Sequence, residues 1–336
     1  GDAPAAAADR AAPEPGPAIA RSTIAVGGAF ACVVAKDRSV SCWGKNDVGQ
    51  LGRDPAATPS CGAFPCSPTP VRVEGLTDVV RIVAGDDFAC ALDAGRKVSC
   101  WGSNARGQLQ TTEVSTSFVP RSVVVEVIDL DANGSHACVI TTDNRVRCWG
   151  ENTCQIFGED VGPVQTVARV MTAVPGMAQV SIGTDAMCGT KPDGRVMCWG
   201  ADHRGSLGHG LTSGSGLCNG VPFDPLPQGV QDTVDLPIQN VAEVHIGAGV
   251  ACARHTDGKV QCWGDNSRGA LGIGVADAQP HPRAEPVPAM FAEKIDVRGQ
   301  TPCAITAAAL LCWGDSRYGQ LESLATSPTC GNQSCS

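Results

Sequence analysis

The sequence predicts an all-β chain, a single β-propeller of six four-stranded blades, and three observations predict it. Tryptophan recurs at long regular intervals, cysteines come in pairs of nearly fixed spacing, and glycine and proline are too frequent for long helices. The six tryptophans, Trp43, Trp101, Trp149, Trp199, Trp263 and Trp313, are all that the chain has; each ends a Cys-rich hairpin pattern, and they are separated by 58, 48, 50, 64 and 50 residues. A period of about 50 residues holding several short β segments suits a propeller blade and exceeds the usual solenoid coil. With 40 Gly and 23 Pro in 336 residues, a bundle of long helices is excluded.

From the N-terminus, the Ala/Pro-rich stretch 1–14 reads as a semi-extended tether and 15–336 as the propeller. The first 22 residues lack the apolar run of a signal peptide, so the chain reads as already processed, although Gly1 fits a residue left by cloning equally well. A lipid or covalent tether upstream of residue 1 is compatible with this composition, but the lipidated Cys that would begin such a tether is absent.

The hairpin inside each unit fixes its own register. In ACVVAKDRSVSCWG, Cys32 and Cys42 flank a turn centred on Asp37, so an antiparallel ladder sets them opposite one another at disulfide distance. The same arithmetic pairs Cys90 with Cys100, Cys138 with Cys148, Cys188 with Cys198 and Cys252 with Cys262; Cys303 and Cys312 form a hairpin one residue tighter. Side chains alternate along a strand, so each Cys points away from the Trp that follows it, and stacked blades bury a bridge on one face and an indole on the other. Glycine follows every Trp, allowing a sharp exit from the strand. Gly27, Gly85, Gly183 and Gly247 lie five residues before their Cys, with Asn133 in the third unit; this pattern suggests a left-handed backbone there. The sixth unit has Arg298 at that place and Gly299 one step later.

Outside the hairpins, TPSCGAFPCSP and SPTCGNQSCS are expected to be closed by Cys61–Cys66 and Cys330–Cys335. Cys154 and Cys218 remain, in loops of successive blades on one expected face, and pairing them ties blade three to blade four. The sixth unit ends before any segment equivalent to the outer-strand sequence TPVRV. The N-terminal segment Pro15 to Arg21 falls in register to supply that strand and close the ring against the strand holding Cys312, since natural sheets avoid an exposed edge. The competing expectation is an open six-blade portion of a seven-bladed ring.

Trp43 to Gly52 reads W-G-K-N-D-V-G-Q-L-G, and the six units resemble the regulator of chromosome condensation repeat family over roughly residues 22 to 325. The third unit departs at Cys154-Gln155-Ile156 and the fourth carries Asp202 and Ser206 where Asn and Gln are usual. The resemblance implies a propeller, typically of seven blades against the six counted here, and the Cys pairs resemble secreted bacterial versions.

Eighteen cysteines without paired C-x2-C ligand spacings imply disulfides, which persist at the cell surface, in the periplasm or outside the cell. The formal charge of -9 opposes nucleic-acid binding, and no 18-residue apolar run spans a membrane. No nucleophile elbow, phosphate loop or EF-hand loop is present, so the chain reads as a non-enzyme that needs no cofactor. His136 falls at the family's structural position beside the first Cys and is expected to be a packed, hydrogen-bonded core residue. Asp202, His203 and His209 share one loop and make a metal-dependent hydrolase or lyase an alternative. A second alternative, by analogy within the repeat family, is an inhibitor of an extracellular enzyme such as a β-lactamase. The leading expectation is a propeller that binds another protein or a surface polymer through its long loops, with Phe64, His203, His209 and Phe223 as candidate contact residues. Loops on a rigid scaffold carry binding, and a stapled loop loses little entropy on association.

Overall fold

The computed structural model describes residues 23–153, 156–157, 162–172, 174, 176–210, 216–218, 220–231, 237–316, 329–330 and 333–334. Apart from a two-stranded hairpin of Thr329–Cys330 and Gln333–Ser334, they form six successive antiparallel sheets, the blades of an all-β propeller. Blade one comprises Ile24–Val26, Phe30–Val34, Val40–Lys45 and Phe64–Arg72; blade two Val79–Ala84, Phe88–Asp93, Val98–Ser103 and Thr116–Val124. Blade three comprises Val127–Asn133, His136–Thr141, Val146–Glu151 and Val164–Val170; blade four Gln179–Ile182, Ala186–Thr190, Val196–Ala201 and Val221–Gly229. Blade five comprises Val241–Ile246, Val250–His255, Lys259–Asp265 and Pro280–Phe291, and blade six Lys294–Arg298, Thr301–Ile305 and Leu310–Cys312.

Within each blade the second and third strands place the two cysteines directly opposite, as with Cys32 and Cys42 or Cys303 and Cys312. The six intrablade bridges are formed, their Cα atoms 4.0 to 4.1 Å apart, and Cys61 is bonded to Cys66. Cys218 is disulfide-bonded. Cys154 and Cys335 lie outside the described residues, as does the segment 15–21 expected to close the ring.

The third and fourth strands meet less regularly. In blades one to five the register shifts between the Cys and the Gly on either side of the tryptophan, a bulge at the same place each time. The Gly after Trp has φ between 99° and 110° in all six units, a backbone that a Cβ would strain, so glycine there is what lets the strand bend. The glycines at 27, 85, 183 and 247 have another cause than the left-handed backbone expected: none has a positive φ in that range. Each lies where the next blade comes closest. A Cβ on Gly85 would stand 2.5 Å from the Gly134 carbonyl oxygen, and one on Gly247 2.2 Å from that of Gly299.

The core lies between blades. Five apolar clusters each join one blade to the next, from one–two to five–six, and each holds the disulfide of the earlier blade and the tryptophan of the later one. Trp101, Trp149, Trp199 and Trp263 are fully buried. Each indole N–H from Trp101 onward donates to a backbone carbonyl of the preceding blade, at Gln50, Gln108, Ile156, Ser206 and Ala270, at 2.8 to 3.0 Å. Trp43 is only half-buried.

Candidate functional site

With four antiparallel strands in sequence, the connection from first to second strand and that from third to fourth leave a blade at the same edge. This edge of the ring therefore gathers the long loops, and it is the face where the expected contact residues lie. The loop of blade one ends in a tight hairpin, Ser60–Cys61 paired with Phe64 and Pro65 and closed by the Cys61–Cys66 bridge. Phe64 projects from it, 52% exposed, with Lys45 Nζ 5.1 Å above its ring centroid.

The other candidate residues are used by the fold. Phe223 is buried among Ile156, Phe157 and Trp199, so it serves the seam between blades three and four rather than offering a contact anchor. His203 Nε2 lies 3.3 Å from Asp185 Oδ2, and His209 Nδ1 lies 3.4 Å from Asp224 Oδ2. Asp202 Oδ1 accepts the Leu207 N–H at 3.0 Å. The three residues that suggested a metal thus face three different partners. Among the described residues no group of three or more His, Cys, Asp or Glu side chains is placed to hold a metal ion.

The same face contains a cavity that sequence reasoning missed. It lies where blades two, three and four meet, encloses about 210 Å³, and is lined by Asp86, Ser135, His136, Glu151, Thr153 and Asp185 among others. Asp86 and Asp185 come from first connections, His136 opens a second strand and Glu151 ends a third. Glu151 Oε1 accepts the Thr153 hydroxyl at 2.9 Å and lies 3.9 Å from Arg106 Nε. Surrounding protein, then the charges of Asp87 and Glu151, push the Asp86 carboxyl up.

His136 departs from the expected hydrogen-bonded core histidine. It is 4% exposed and meets Phe157 edge to face, yet among the described residues its buried Nε2 has no hydrogen-bond partner. Burial pushes its pKa down to about 4, so the ring is neutral at pH 7. Three blades contribute to this cavity, which is why no single motif reveals it. The available signal was the acidic residues in the first connections of blades two and four alone.

Profiles of the regulator of chromosome condensation (RCC1) repeat match residues 22–50, 39–92, 79–108, 127–155 and 241–270. These segments are RCC1 repeats. The E3 ubiquitin-protein ligase HERC2 of human and of mouse is 25% identical over 311 residues, 89% of this chain but 6% of that ligase, so the RCC1-repeat chain spans a small part of those relatives. Yeast RCC1 (Prp20), in its structure bound to Kap60, superposes with a TM-score of 0.71 at 19% identity, covering 87% of this chain and 69% of the other. Human WBSCR16 gives 0.69 at 22% identity, covering 82% and 69%. At these identities the structural likeness is one of fold.

Proposed function

We propose that this RCC1-repeat propeller is a non-catalytic binding module, secreted, surface-displayed or periplasmic, that engages another protein or a surface polymer through its loop-bearing face. The observation that carries the reading is the stapled hairpin of blade one, which holds an exposed aromatic side chain on a fixed frame. Aromatic side chains on preorganised loops make effective anchors, since little freedom is lost on binding. Bridges formed in every blade, and buried in blades one to five, fit an oxidising location. Among the described residues no helix is long and apolar enough to cross a membrane. Yeast Prp20, of the same fold, is known bound to Kap60 and for binding Gsp1p and histones, which supports a protein as the partner here.

The test is crosslinked capture from the native envelope or culture medium, comparing the natural chain with Phe64→Ala and with a chain whose residues 209–221 are replaced by a short Gly/Ser link. A specific species whose recovery falls about tenfold or more with Phe64→Ala, at unchanged melting temperature, supports the reading. Recovery indifferent to both changes overturns it.

A further inference from the structure

The cavity between blades two, three and four has a chemistry that narrows what it takes. Its carboxylates are not demanded by the repeat: the equivalent first connections read Gly27-Gly28-Ala29 in blade one, Gly134-Ser135 in blade three, Gly247-Ala248-Gly249 in blade five and Gly299-Gln300 in blade six. Only blades two and four place acids there, Asp86 with Asp87 and Asp185, on either side of His136. Three carboxylates around one small space repel one another and disfavour any anion. Among the described residues Asp86 has neither an ion-pair partner nor a side-chain hydrogen bond, while Glu151 and Asp185 are held by Arg106 and His203 at 3.9 and 3.3 Å. The His136 ring forms a buried wall, its Nε2 inaccessible and without a hydrogen-bond partner among the described residues. Carboxylate oxygens beside an uncharged ring ask for N–H donors carrying positive charge. The volume of about 210 Å³ is below the roughly 300 Å³ at which drug-sized ligand pockets begin, and suits a single side chain.

We propose that this cavity is a recognition pocket for the guanidinium of an arginine presented by a protein partner, received by Asp86, Glu151 and Asp185 with His136 at its wall. Guanidinium supplies five N–H donors in a rigid plane, enough to serve two carboxylates at once, whereas an ammonium is a compact point charge. The proposal rests on the reading that the loop-bearing face binds a protein and names the chemistry of that partner at one point.

The experiment uses the whole chain and the probe Nα-acetyl-arginine amide, with Nα-acetyl-citrulline amide as its uncharged isostere, followed in ¹H–¹³C spectra of the six histidines. His136→Gln assigns the His136 signal. The arginine probe is expected to shift that signal saturably, citrulline to leave it unmoved, and Glu151→Gln and Asp185→Asn each to weaken binding about fivefold or more. Thermal melts check that these variants are folded. No saturable shift, an equal shift with citrulline, or displacement by calcium or zinc ions in place of arginine overturns the pocket. If partner capture still depends on Phe64 while the arginine probe fails, the pocket is wrong and the binding module stands; a saturable arginine shift with no Phe64-dependent capture leaves the pocket and removes the module.

Discussion

Asp202 breaks a hydrogen-bond device that the other blades repeat. In four of them an asparagine oxygen accepts the N–H five residues on, Asn46 from Leu51, Asn104 from Leu109, Asn152 from Phe157 and Asn266 from Leu271, while the amide nitrogen of each donates to its loop. Asp202 keeps the acceptor and lacks the donor. Burial, with the nearby Asp224 charge, raises its pKa to about 6. A carboxyl whose folded pKa lies above its unfolded value of 3.8 favours folding most when protonated, and this contribution is lost as pH rises through about 6. Asp202→Asn is therefore expected to stabilise the chain at pH 7 by about 1 to 2 kcal/mol and to flatten the pH dependence between about 4 and 6, measured by urea unfolding at stepped pH. At single positions the sequence was legible where chemistry is local, as in the Asn-to-Asp departure at 202. It was not legible at Gly85 or His136, whose roles depend on atoms of another blade, nor at Phe223, where an aromatic next to a loop could face either way.

Each hairpin owes its register to the opposed cysteines, and this was readable because a separation of ten between two bridged positions leaves one centre for the turn. The bulge at each tryptophan was not, since pairing between third and fourth strands depends on loops of variable length. In the chain-entropy view a bridge closing so short a loop contributes about 2.5 kcal/mol. Cys90→Ala with Cys100→Ala should cost that much or somewhat more, because both sulfurs are fully buried in the seam with blade three. The denaturation midpoint in urea should fall while the transition remains a single step. An unchanged midpoint would show that packing alone holds the hairpin.

Across the whole molecule, five seams are filled by apolar clusters of described residues, and the two outer faces are left. Blade one shows Ile24 and Val26, 61% and 58% exposed, and blade six shows Ile305, Leu310 and Leu311. Blade six also has three described strands where the others have at least four. The reading that residues 15–21 supply its fourth strand predicts that deleting residues 1–21 lowers the melting temperature by about 5 °C or more and increases binding of a hydrophobic dye. An unchanged melting curve would refute it. The blade count was legible from six tryptophans, but closure was not, because it depends on how the first and last blades meet. The indole hydrogen bonds carry a further consequence. Each runs from a later blade to an earlier one, so the series has a direction: a carbonyl of each of blades one to five is capped by the indole of the blade that follows. On a ribosome, blade one would emerge with its Gln50 carbonyl uncapped until Trp101 followed, and the structure would mature one step behind synthesis, like a column in which each course is locked only when the next is laid. Among the described residues that polarity leaves Trp43 half-buried and outside the series of indole hydrogen bonds.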